Sequence, residues 1–123
     1  MFRDILVAID PSATAQRALD RAGELALALN ARLTVISVAP EVTGSASRAP
    51  VARVGPRREV ERETDLLLRD AVDRLPSDLP VTTVLKHGNA GDRIVEQVEA
   101  GRHDLLVMCS RGRGRVATNL LGS

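Results

Sequence analysis

Two short runs of aliphatic and β-branched residues, ILVAI at 5–9 and LTVISV at 33–38, are separated by little more than one helix's length of chain. Runs without polar alternation suit strands buried on both faces. Between them Ala15, Leu19, Ala22, Ala26 and Leu29 recur at helical spacing, with Gln16, Arg17, Asp20, Arg21 and Glu24 largely off that stripe. Ser12 stands where an N-cap is needed. Strand, helix, strand with so short a crossover demands a parallel pair joined in the right-handed sense. An α/β fold follows.

The pattern then repeats. Helical spacing returns at Val60, Thr64, Leu67, Ala71 and Leu75, and Pro76 and Pro80 lead into a third strand at 81–85. Asn89 is positioned to cap a third helix, with Ile94, Val95 and Val98 as its buried stripe and Gly101 at its end. A fourth strand spans 105–108. Residues 39–57 hold Pro40, Gly44, Pro50, Gly55 and Pro56 and read as a flexible loop, and the residues after Gly114 read as the start of a fourth helix. The expected architecture is one domain over residues 1–123, an open, doubly wound parallel sheet with helices on both faces. Such sheets take ligands at the carboxyl ends of their strands. The segments after Ile9, Val38 and Met108 should therefore meet at one crevice.

Composition narrows the choice of ligand. Phe2 is the only aromatic residue, so base stacking on aromatic platforms is excluded. With 17 basic against 16 acidic side chains the net charge is +1, which gives no general affinity for nucleic acid, so any anion site must be local. Cys109 is the only cysteine, which excludes an internal disulfide and fits a reducing, cytoplasmic setting. Neither a secretory leader nor a membrane-spanning run is expected.

At the predicted rim Asp10 has two readings: a carboxylate accepting hydrogen bonds from a ribose hydroxyl or an amine, or an Asp-Pro-Ser turn that starts the helix. Gly112-Arg113-Gly114-Arg115, after the fourth strand, could hold a phosphate on backbone N–H groups, form a plain turn, or act as a small RNA-contacting tip. It is neither a Walker loop nor a G-x-G-x-x-G fingerprint. Cys109 reads as an inert small hydrophobe or, beside Arg111 and Arg113, as a redox-sensitive thiol. His87 and His103 lack metal-ligand spacing with it, no serine lies in G-x-S-x-G, and no carboxylate pair is placed for Mg²⁺. A catalytic residue is not assigned; slow ATP hydrolysis is the most that is expected.

The opening ILVAIDPSATAQRAL, the strand TVISV and the tail HGNAGDRIVEQVEAGRHDLLVMCSRGRGRVATNLLGS together resemble the universal stress protein family. The family's nucleotide motif is glycine, two residues, glycine, nine residues, then glycine followed by serine or threonine. Gly112 and Gly122-Ser123 match its second half, and Cys109 stands in place of the first glycine. The resemblance implies a sheet of order 3-2-1-4-5 and a stress-response module binding ATP, AMP or ADP, with or without Mg²⁺. Asp10 would meet the ribose or adenine edge, and Ala8 and Val38 would line the base pocket. Gly112, Gly122 and Ser123 would cradle phosphates, with Arg111 and Gly114 in the same loop, and Cys109 would crowd the α-phosphate or ribose. It also implies a homodimer and a protein partner, and no nucleic acid or membrane. The alternative is a dimeric scaffold of the same fold that binds no nucleotide. In the family a fifth strand follows; with the sequence ending at Ser123 that strand is expected to be missing, leaving strand four as an unpaired, association-prone edge.

Overall fold

The computed structural model of the chain describes residues 2–41, 50–109 and 116–119, with 50–56, 109 and 116–119 described by backbone alone. The elements run β1 (Asp4–Ala8), α1 (Ala13–Leu29), β2 (Arg32–Ala39), α2 (Pro50–Arg74), β3 (Val81–His87), α3 (Ala90–Ala100), β4 (Leu105–Cys109) and β5 (Val116–Asn119). They build one sheet in the order β3-β2-β1-β4-β5. β1 lies parallel between β2 and β4, with Leu6 level with Thr34 on one side and Leu106 on the other.

Alternation along these strands divides the apolar residues between two cores. Ile5, Val7, Leu33, Val35, Leu105 and Val107 face α1 and α2, where Ala18, Leu19, Ala22, Leu68 and Ala71 meet them. Leu6, Ile36 and Leu106 face the other way and pack against Ile94 and Val98 of α3. Helices on both faces and four parallel strands are as the sequence implied. The caps are also as read: Ser12 Oγ accepts from the Ala15 N–H at 3.3 Å, and Asn89 Oδ1 from the Asp92 N–H at 3.0 Å. Asn30, in the left-handed region at φ 60°, ends α1.

Three expectations need correction. α2 begins at Pro50, inside the stretch read as a loop to residue 57. Proline is suited to a first helical position because its missing N–H would have no intrahelical partner there. The later part of α2 carries an apolar stripe, with Thr64, Leu68 and Ala71 buried and Leu75 just beyond its end, whereas the sequence at 50–57, with Gly55 and Pro56, has no helical periodicity to reveal the start. The rest of the supposed loop, residues 42–49, lies outside the described residues. On α3, Val95 is exposed, because Ile94 and Val98 at i and i+4 already define the buried face.

The third correction concerns the end of the sheet. A helix was expected after Gly114 and an unpaired β4 edge, but residues 116–119 form β5, antiparallel to β4, with Cys109 opposite Val116 and Leu106 opposite Asn119. Six residues separate the two strands. So short a connection permits an antiparallel neighbour, whereas a parallel one needs a crossover of about a dozen residues or more. The argument for self-association from a bare β4 edge is thereby removed.

At the amino ends of the strands, His103 is buried between α3 and β4, only 4% exposed. Its Nε2 lies 3.1 Å from Gln97 Nε2, an amide nitrogen that only donates, so the ring accepts there and carries its proton on Nδ1. Among the described residues Nδ1 has no partner. Burial lowers the imidazole pKa, and the nearby carboxylates of Asp4 and Asp104 oppose this without reversing it. For Asp104 burial pushes the pKa up, but the N–H groups of Arg3, Asp4 and Asp104 itself, with the N-terminal amine, bring it below the usual carboxylate value. Asp104 accepts from Arg3 at 2.9 Å and from Asp4 at 3.0 Å, tying β4 to the chain start.

The two groups destabilise the fold in separate acid windows. With a depressed folded-state pKa, His103 binds its proton more readily in the unfolded chain, so stability falls as pH drops below about 6.5. The Asp104 contribution is present above about pH 4 and is lost below it. Urea midpoints should therefore decline between pH 7 and pH 5, and His103→Gln should flatten that part of the profile. An identical slope in both proteins would exclude His103 as the cause.

Candidate functional site

The doubly wound topology reverses at β1 and β4: the chain leaves β1 toward the α1 side and reaches β4 from the α3 side. A crevice opens at the carboxyl ends of strands at such a reversal. Its base is held by cross-strand bonds. The Ile9 N–H donates to the Ile36 carbonyl at 3.0 Å, and the buried Ser37 Oγ donates to the Ile9 carbonyl at 3.0 Å. Beyond β3, Gly88 at φ 115° makes the turn that a side chain would strain, and its N–H donates to the Ala39 carbonyl at 3.0 Å. That turn brings the first residue of α3, Ala90, to the crevice wall.

The resulting cavity of about 120 Å³ is lined by Ala8, Ile9, Asp10, Ala15, Ile36, Val38, Ala90, Ile94 and Met108. Ala8, Val38 and Met108 are half-buried and pack against the α3-side core. Asp10 is the one ionisable residue in this lining. Its Oδ1 accepts from the Ser12 N–H at 2.9 Å and from Ser12 Oγ, so the helix-starting role is met by one oxygen. Oδ2 has no hydrogen-bond partner among the described residues. One carboxylate thus fixes the turn and still presents an acceptor, and the two sequence readings of Asp10 are compatible. A smaller cleft of about 90 Å³ lies on its other side, between α1 and α2, where Arg74 is held by Asp20 at 3.0 Å.

Of the residues singled out by sequence, Ala8, Asp10 and Val38 come together in one cavity. Cys109 is the last residue of β4, and its side chain is outside the described set. Arg111, Gly112, Gly114, Gly122 and Ser123 also lie outside the described residues. Sequence reasoning did not assign Ile36, Ala90, Ile94 and Met108 to the site. The available signal was period-two alternation, since Ile36 shares a sheet face with Val38, and Met108 lies level with Ala8 in the register.

An apolar slot with a single carboxylate acceptor at its mouth suits a flat, weakly polar ring bearing N–H or O–H donors. Among the described residues no group of three or more histidine, cysteine or acidic side chains gathers to hold a metal ion. No described helix is long and apolar enough to cross a membrane.

Open α/β sheets with this crevice form a class of small ligand-binding domains. The sequence profile of the universal stress protein family matches residues 1–123, and the chain belongs to that family. A member from Burkholderia pseudomallei superposes with a TM-score of 0.77 at 26% identity, over 89% of this chain and 82% of that one. A universal stress protein in complex with cAMP gives a TM-score of 0.66, also at 26% identity, over 85% of this chain and 74% of that one. A family protein from Arabidopsis thaliana with AMP bound shares the fold at 18% identity and a TM-score of 0.59, over 94% of this chain and 81% of that one. No curated protein sequence gives a significant match.

Proposed function

We propose that this chain is a stress-response module that binds an adenine nucleotide in the crevice at the carboxyl ends of β1, β2 and β4. The observation that carries this reading is the juxtaposition of the Asp10 carboxylate with an apolar slot of about 120 Å³ walled by Ala8, Val38 and Met108. The slot has room for a ring but not for a whole nucleotide, since complete ligand pockets are typically about 300–1,000 Å³. Sugar and phosphates therefore extend outward from the slot; Gly112 and Gly122-Ser123, which match the family's motif, lie outside the described residues. The cAMP complex of a relative at 26% identity supports an adenine ligand. On this reading ATP, ADP and AMP are candidates, Mg²⁺ accompanies the polyphosphates, and the module acts in the cytoplasm as a homodimer with a protein partner. Cys109 at a motif glycine position favours a second reading, a scaffold of the same fold without nucleotide.

Calorimetric titration with AMP and Mg-ATP separates the two. Micromolar binding, about −8 kcal/mol, is expected. Asp10→Asn keeps an oxygen for the Ser12 N–H but turns the outward acceptor into a donor, so affinity should fall about tenfold while stability changes by less than about 0.5 kcal/mol. Absence of heat from the folded wild-type protein would leave the scaffold reading.

A further inference from the structure

Lys86 is the only lysine, the other 16 basic side chains being arginines. Its place in β3 is fixed by its neighbours. Leu85 packs into the core on the α1 and α2 side, and His87 lies with Nε2 3.0 Å from Glu61 Oε2 of α2, so both point to that face. Val84 packs on the α3 side. Strand alternation therefore directs Lys86 to the α3 side as well, the face from which Ala8, Val38 and Met108 wall the slot. In the parallel register Lys86 stands level with Val38. Adjacent strands are about 4.8 Å apart, and a four-carbon stem spans that distance. The side chain is exposed, and among the described residues no carboxylate lies within ion-pairing distance of its ammonium.

We infer that Lys86 is a specificity-determining residue of the crevice, donating from its ammonium to a ring-nitrogen acceptor of the purine seated on Val38. This rests on the nucleotide reading above and assigns a recognition element on the β3 side of the slot. An ammonium has three donors and no acceptor, whereas the free oxygen of Asp10 only accepts. The two side chains present opposite hydrogen-bonding character around one apolar slot, which suits a heterocycle carrying ring acceptors and an exocyclic or sugar donor. Purine ring nitrogens supply such acceptors, and the apolar wall supplies the face contact. Selectivity then comes from matching donors to acceptors at the ring's edges and not from overall charge, which is close to balanced in this chain.

The single lysine gives the inference a direct test. An N-hydroxysuccinimide acetate ester is applied to the wild-type protein, and acetylation at Lys86 is followed by peptide mass, with the N-terminal amine as internal reference. Saturating AMP should slow acetylation of Lys86 at least about fivefold relative to that reference. In titrations, Lys86→Met, which keeps the length of the stem, should bind AMP about fivefold more weakly, the loss of one charge-assisted hydrogen bond at a solvated mouth. One of 1-deaza-AMP, 3-deaza-AMP and 7-deaza-AMP should show the same weakening against wild type and none further against Lys86→Met. Wild type that binds no AMP overturns the nucleotide reading and this inference with it. Binding lost in Asp10→Asn but intact in Lys86→Met, or AMP bound without protection of Lys86, overturns this inference alone. Weakening by Lys86→Met without any deaza effect places the ammonium on the phosphate and also overturns it.

Discussion

Leu6→Ala should lower the stability of the domain by about 3–4 kcal/mol, the range for truncating a fully buried leucine whose surroundings cannot collapse. Leu6 is 0% exposed in the central strand, flanked in the sheet by Thr34 and Leu106. It belongs to the smaller core, whose other buried members are Ile36, Ile94, Val98 and Leu106. With so few members, removing three carbons from one leaves a void that α3 alone would have to close, while the hydrogen-bonded sheet on the other side is held in register. Urea denaturation is the suitable measurement, because at a slope of about 1–3 kcal/mol/M the midpoint should shift by more than about 1 M. Leu66→Ala is the control. Leu66 is 51% exposed on α2, and its loss should change stability by no more than about 0.5 kcal/mol. Equal effects at the two positions would contradict the assignment of the α3-side core.

That same core shows why so much of the fold was legible in the sequence. Runs such as ILVAI and LTVISV carry apolar residues on both faces of the strand, interrupted in the second only by the small Thr34 and Ser37, because both faces are covered, and neither needs tertiary information to be recognised. The caps at Ser12 and Asn89 are local hydrogen-bond devices, so they too were readable. What was missed depends on contacts distant in sequence or on pattern that is absent. The start of α2 at Pro50 has no apolar stripe to mark it. Residues 116–119 carry no alternation strong enough to set strand against helix, and their state is decided by pairing with β4. The site divides in the same way. Asp10 is marked by its place after a strand, whereas Met108 and Ala90 become lining residues only through the register and through the turn at Gly88. Lys86 is unremarkable until β2 and β3 are aligned.

Gly101→Ala should destabilise the domain by about 2–3 kcal/mol, although the residue is exposed and glycine to alanine at the end of a helix is usually mild. The reason is a near neighbour and not the backbone, which at φ −88° is open to any residue. A Cβ at position 101 would fall on Nε2 of His103, 2.8 Å from its Cδ2 and 2.9 Å from Gln97 Nε2. These are the two side chains joined by the hydrogen bond that the ring accepts at Nε2. His103 is almost fully buried, which leaves its ring little room to move aside, so the methyl must break the His103–Gln97 pair or lift the end of α3. Breaking the pair would also free Nε2 to take a proton in the folded state, so the decline of stability below about pH 6.5 should be shallower in the variant than in the wild type. The double variant Gly101→Ala, His103→Ser provides the decisive comparison. Removing the ring removes the clash, so the two changes together should cost less than their separate costs added, with a coupling of at least about 1 kcal/mol. Simple additivity in urea midpoints would mean that the helix end shifts freely, and that the His103–Gln97 contact does not hold the turn from α3 into β4.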